Sequence, residues 1–286
     1  MKRLQITDNR IQEAIVLYKS GITIKPICKQ LHLDGTVLRK FLIDEGILKT
    51  RSNAVRSGKS DGIVKDDALE VLTSEALYWI GFLYADGHIE KQPRNRIALT
   101  LAEVDYNHLE KFANFFGQDL TIRDVTQKGE KKTYPKGQIN FDSKYWRVAF
   151  SSVEIYNRLV ELGFSHNKTL SLTPHELLKM SRDFWRGVID GDGTLYYTND
   201  SRANGKYNTL ILSLSGTYDT NIEFLNYLKL NNIFTEAKPI NDKRANVWET
   251  VISDVNSKAI KLLYKDATVY LERKYQKYLK IINSNN

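Results

Sequence analysis

Two acidic residues occupy matching places in a repeated segment. Tyr78-Trp79-Ile80-Gly81-Phe82-Leu83-Tyr84-Ala85-Asp86-Gly87 and Phe184-Trp185-Arg186-Gly187-Val188-Ile189-Asp190-Gly191-Asp192-Gly193 agree in type at six of ten positions: an aromatic, Trp, Gly, a small residue, Asp and Gly. Read as helices, the segments place Gly81 with Ala85, and Gly187 with Gly191, four residues apart on one face. Small residues at that spacing let two helix backbones approach closely. Thr73 or Ser74 can cap the first helix and Asp183 the second. Each helix then delivers an Asp, followed by a Gly able to end it. Packed face to face, the helices bring Asp86 and Asp192 together, which is costly unless a cation lies between them. Mg²⁺, a hard ion that prefers oxygen, meets that need.

The duplication extends beyond the acids. Strand-like runs follow at 97–101 and 210–214, helical runs at about 105–116 and 219–230, and basic, turn-rich loops at 128–137 and 237–246. A second strand and more helix complete each unit, so a repeat of about 100 residues is the simplest account. Lys168 lies 82 residues after Asp86 and Lys274 lies 82 residues after Asp192. Lysine is abundant here, so the equal spacing gains weight only from the duplicated acids. His88 follows the first motif, where the second has Thr194, and is expected as a first-strand residue, not a base.

The elements around this pair differ in charge. The 286-residue chain carries a net charge of +8, of which residues 1–60 carry +7. A basic module joined to a near-neutral body points to a polyanion partner. The one cysteine, Cys28, can form neither an internal disulfide nor a thiolate zinc site. The five histidines lack metal-ligand spacing, and no apolar run approaches the ~20 residues that span a bilayer. No signal peptide is expected, and the reading is a soluble, reduced, intracellular protein without a membrane partner. Three short helices are expected within residues 10–48, with Val37, Leu38, Phe41 and Leu42 facing inward and Thr36, Arg39 and Lys40 outward. Residues 49–71, including Arg51 and Arg56, lose periodicity and read as a basic linker.

The run Leu17–Gly21, then Ile27–Leu31, then Thr36–Leu42 resembles a resolvase-like helix-turn-helix, whose last helix enters the major groove. The segments WIGFLYADG at 79–87 and WRGVIDGDG at 185–193 resemble the two motifs of the LAGLIDADG homing endonucleases, and the resemblance runs over residues 72–282. It implies an α+β fold, in which two pseudo-symmetric units form a β-saddle over DNA and the motif helices make the seam between them. With the N-terminal module, the expected layout is 1–48 helix-turn-helix, 49–71 linker, 72–178 first unit and 179–286 second unit. The resemblance makes Asp86 and Asp192 the metal-binding acids and Lys168 and Lys274 the supporting lysines. It further implies a monomer that cuts both strands of an asymmetric duplex target across the minor groove, leaving a short 3′ overhang. Tyr84 stands where the second motif has Asp190, a position that is not the metal ligand.

Expected DNA contacts on the strands are Arg94 and Arg96, with a register break near 96, and Lys206 and Asn208. Expected loop contacts are Lys131, Lys132, Lys243 and Arg244. Such a protein belongs in the cytoplasm or nucleoid of a bacterium or phage-infected cell, or in an organelle. Two other readings use the same resemblance: an intron RNA maturase, and a transcription regulator whose nuclease body has degenerated.

Overall fold

The computed structural model describes residues 9–19, 24–45, 47, 62–91, 94–126, 144–164, 173–202, 205–241, 247–254 and 257–284. The chain divides into two compact units, Met1–Ser57 and Gly58–Asn286. In the first, α1 (Asn9–Lys19), α2 (Ile24–Leu31) and α3 (Gly35–Asp44) enclose a small core of Ala14, Ile27, Leu31, Leu38 and Leu42. Asp34 caps α3 by accepting the Val37 N–H at 3.0 Å. Val37 and Phe41, expected inside, are only half-buried, while Arg39 is half-buried and Lys40 exposed. α2 begins two residues before Pro26, not at it.

The second unit is two copies of one plan. The first copy runs α4 (Ser74–Asp86), β2 (His88–Glu90), β3 (Arg96–Ala102), α5 (Tyr106–Phe116), β4 (Gly117–Gln118), β5 (Ile122–Asp124), β6 (Tyr145–Ser151) and α6 (Val153–Glu161). After the short α7 (Glu176–Lys179), the second runs α8 (Arg182–Asp192), β7 (Gly193–Arg202), β8 (Gly205–Gly216), α9 (Tyr218–Leu230), β9 (Ile240–Asn241), β10 (Trp248–Ser253), α10 (Lys258–Tyr264) and α11 (Glu272–Ser284). The antiparallel sheets have matching orders, β2-β3-β6-β5 and β7-β8-β10-β9. Period-two alternation buries one face of each. Ile97, Leu99, Leu101, Val148 and Phe150 point inward in the first sheet; Leu195, Leu210, Leu212, Leu214 and Ile252 do so in the second. α5 and α9 lie against these sheets, and one continuous apolar core joins both copies through α4 and α8. No helix among the described residues is long and apolar enough to cross a membrane.

Within the stretch read as linker, residues 62–71 are described. β1 (Ile63–Val64) pairs antiparallel with β4, and Leu69 is buried. The Lys65 ammonium donates to the Asn114 carbonyl at 3.1 Å. The Ser152 hydroxyl donates to Asp66 at 2.7 Å, and the Arg158 guanidinium to the Leu69 carbonyl at 3.4 Å. Residues 62–71 are therefore a strap on the first copy. Sequence periodicity missed it because its partners are 49 to 89 residues away.

His108 sits in the aromatic core beside Trp79 and Phe82, its Nε2 3.0 Å from the Tyr78 hydroxyl. Its Nδ1 is buried without a hydrogen-bond partner. Burial, with smaller effects of Lys111 and Arg273, pushes its pKa down from 6.5 to about 3. The folded ring stays neutral where the unfolded ring gains a proton, so stability is constant above pH 6.5 and falls below it. By pH 5 this one group costs about 2 kcal/mol. Chemical denaturation at pH 7 and pH 5 should show the loss in the wild type, and His108→Gln should shrink it by that amount.

Candidate active site

α4 and α8 form the seam, and their small residues permit its closeness. A methyl group at Gly81 would strike the carbonyl of Phe184, one at Gly187 the carbonyl of Tyr78, and one at Gly191 the side chain of Ala85. Thr73 caps α4 by accepting the Ala76 N–H at 3.1 Å. α8 is capped by Ser181, which accepts the Phe184 N–H at 3.2 Å, and not by Asp183. Asp183 is committed instead to Arg186, 2.7 Å away. Gly87 and Gly193 do end the helices, with extended backbone (φ −71° and −92°). Glycine is needed there for space: a side chain would collide with the Leu83 or Ile189 carbonyl, 2.6 Å from the added carbon.

Asp86 and Asp192 emerge, exposed, at one end of this seam. A methyl at Gly191, the residue before Asp192, would stand 3.3 Å from Asp86 Oδ2, so the Asp86 carboxylate lies over the last turn of the opposite helix. The crossing is reciprocal: the charge of Asp192 is felt at Tyr84 of α4, and the charges of both acids are felt at Lys274. Among the described residues no group of three or more His, Cys, Asp or Glu could hold a metal. The pair alone offers carboxylate oxygens. That donor set suits Mg²⁺, which is usually held by one or two carboxylates and keeps its other positions for water and phosphate.

Beneath the acids lies a buried network. Asp190 accepts from the Tyr78 hydroxyl at 2.8 Å, the Tyr264 hydroxyl at 2.5 Å and the Leu271 N–H at 2.7 Å. Burial pushes its carboxyl up, while the Lys274 ammonium and these donors pull it back. Lys274 is 2% exposed. Its ammonium donates to the carbonyls of Ile189 at 2.5 Å, Asp190 at 2.7 Å and Gly193 at 2.6 Å. Those carbonyls are at the end of α8, where helix geometry leaves acceptors unpaired and favours positive charge. Burial outweighs the nearby acids and pushes the Lys274 pKa down to about 8. Read from sequence, this lysine supports the metal-binding acids; in the structure its ammonium donates to three backbone oxygens.

Arg186, at the place of Ile80 in the first motif, is 1% exposed. It donates to the carbonyls of Val269 at 2.9 Å and Leu263 at 3.1 Å. The sequence carried no signal for it beyond the mismatch between the motifs. Tyr84, opposite Asp190 in the repeat, is within 2.7 Å of the Thr220 hydroxyl, and burial pushes its phenol up. The two copies thus anchor their motif helices by different chemistry.

The remaining expected residues are dispersed. His88 opens β2 and faces solvent, 3.7 Å from Glu90. Arg94 precedes β3 and pairs with Glu90 at 3.3 Å. Arg96 opens the strand, directly after Asn95, whose φ is 42°. Lys206 and Asn208 lie on β8, and Thr36 on α3, with their side chains outside the described set. Lys168, Arg51, Arg56, Lys131, Lys132, Lys243 and Arg244 lie outside the described residues.

The sequence matches no family model and no curated protein. Among solved structures, the chain is similar to I-SmaMI bound to uncleaved DNA with calcium (15% identity, TM-score 0.48, covering 74% of this chain and 90% of that one). It is also similar to I-GzeII in complex with its DNA target (14%, 0.47, 75% and 92%) and to I-LtrWI bound to target DNA (15%, 0.46, 73% and 90%). All three are LAGLIDADG homing endonucleases. At TM-scores below 0.5 the likeness to LAGLIDADG structures carries no argument about this chain's chemistry; its own side chains do.

Proposed function

We propose that the chain is a site-specific endonuclease that hydrolyses both strands of duplex DNA with Mg²⁺. The observation that carries this is the placement of Asp86 and Asp192, exposed at one end of a seam too tight for a side chain at Gly81, Gly187 or Gly191. The acids' hard oxygen ligands and their place between two matching sheets support a cut of each strand at one centre. Asp86 and Asp192 would hold and orient Mg²⁺, which would supply an activated water and stabilisation of the leaving oxygen. Lys274 fixes the end of α8 from which Asp192 projects, and Asp190 fixes Lys274 through Leu271 and Tyr264. Lys168 keeps the sequence-based expectation of a supporting lysine. The basic N-terminal unit, with Arg39 and Lys40 on α3, grips DNA beside the cut and adds affinity, not chemistry. Joined readers make the second contact intramolecular, which raises avidity by ~10²–10⁴-fold. The division into residues 1–48, 49–71, 72–178 and 179–286 and an intracellular location are parts of the same proposal.

The test is incubation of the full chain with a randomised duplex library and Mg²⁺, followed by sequencing of the cut ends. A parallel arm uses residues 61–286. The full chain should cut one long asymmetric site, and the truncated chain the same phosphates, with weaker binding, a shorter footprint and a flatter salt dependence. Assistance to intron RNA splicing without any DNA cleavage would replace this reading with that of a maturase.

A further inference from the structure

The start of α5, in the first copy, grips the segment that leads into α11 of the second. Asp105, His108 and Lys111 recur there at three-residue spacing, which makes each the neighbour of the next on the helix surface. Asp105 accepts the Arg273 Nε–H with both carboxylate oxygens, at 3.1 Å each. The Lys111 ammonium lies 5.1 Å from the centre of the Tyr270 ring. His108 reaches the same segment from inside the core. Its Nε2 meets the Tyr78 hydroxyl, which donates to the Asp190 oxygen that also takes the Leu271 N–H. The Tyr78 proton is committed to Asp190, so His108 Nε2 carries the proton that Tyr78 accepts.

Arg273 stands in the first turn of α11, where a helix favours negative charge, so its own helix gives no reason for it. The Asp105 side chain is 10% exposed and that of Arg273 46%, so the carboxylate is the fixed partner and the guanidinium is brought to it. The next residue is Lys274, whose ammonium holds the three carbonyls at the end of α8. The run 270–274 is thus pinned on one side to α5 of the first copy and on the other to the turn that carries Asp192. Asp86 belongs to the first copy, so these contacts set the turn of one acid against the copy that supplies the other.

Resting on the function proposed above, we infer that Asp105 and Arg273 are positioning residues for cleavage: a brace between the copies that holds Lys274, and through it the turn of Asp192, in register with Asp86. The brace acts through Lys274 and sets the rate of the chemical step, not the grip on duplex.

The experiment uses the full chain as wild type, Asp105→Ala, Arg273→Ala, the double variant and Arg273→Lys. It measures single-turnover cleavage at saturating protein with Mg²⁺, duplex affinity, melting temperature, and amide exchange at Gly193 and Leu271. A misplacement of about 1 Å can cost ~10²-fold in rate, and the loosened brace should cost each Ala variant about tenfold at unchanged affinity. The double variant should lose no more than either single one, because both remove one contact. Arg273→Lys keeps a charged donor and should restore most of the rate. With one partner exposed, the pair adds little to folding, and melting should stay within ~4 °C of the wild type. The Gly193 and Leu271 amides, both in the second copy, should exchange about tenfold faster in Asp105→Ala, a change in the first. Normal cutting with unchanged exchange, or a double variant as slow as the product of the two single losses, would overturn the brace. A rate loss matched by weaker binding and a large fall in melting temperature would make the pair a fold contact and overturn it too. A wild type that cuts no duplex, with exchange still raised in Asp105→Ala, would overturn the proposed function and the part in cleavage, while the coupling between the copies stood.

Discussion

Asp86→Asn and Asp192→Asn should each remove double-strand cleavage while leaving duplex binding near the wild-type level. Asn keeps the volume of Asp and loses the charge. Groups that merely support a metal ligand cost ~10–100-fold on removal, and a ligand itself should cost at least about a hundredfold. The acids face one another across the seam, so neutralising either relieves repulsion. Both variants should melt at or above the wild-type temperature, which separates lost chemistry from lost fold. Single-turnover cleavage and a binding isotherm for each variant decide the matter. Near-normal cutting by either variant, or by the wild type in excess EDTA, would end the metal-site reading.

The second large effect belongs to Lys274→Met. The substitution keeps an unbranched apolar stem but takes a charged donor from three carbonyls at the end of α8, of which Ile189 keeps the Gly193 N–H. Each buried group left unmade costs ~1–3 kcal/mol, so even partial relaxation leaves a loss on the order of 3 kcal/mol. For a body of this size each kcal/mol moves the melting temperature by ~2–4 °C, giving a fall of roughly 10 °C. Cleavage should fall more than binding, because the turn carrying Asp192 loses its clamp. Calorimetry beside kinetics separates the two roles of this lysine. Cleavage lost with an unchanged melting temperature would give the ammonium a part in the chemistry instead of the fold.

Much of the motif chemistry was legible because it is local. Small residues four apart, an Asp and then a Gly need only helix geometry to be interpreted, and the strand-like runs at 97–101 and 210–214 fall on β3 and β8. What escaped was non-local. Tyr78 and Tyr264 meet at Asp190 from 112 and 74 residues away, and nothing in either neighbourhood marks them. Arg186 was an unexplained mismatch until its carbonyl partners, 77 and 83 residues later, were in place. Asp105 and Arg273 were passed over for the same reason: they meet from 168 residues apart. Ser181 displaced Asp183 as helix cap because the buried Arg186 claims that carboxylate.

The position of the Lys274 clamp also bears on how the chain is made. The ribosome releases Asp86, then Asp192, and only 82 residues later the side chain that closes the turn beneath Asp192. At ~5–20 residues per second that is an interval of about 4–16 s. During it the nascent chain carries both acids on a seam whose second helix has no closure at its end. A message broken between codons 192 and 274 would yield such a chain permanently, complete in its acids and lacking the clamp. For the proposed nuclease, the clamp beneath Asp192 is therefore made only after both acids.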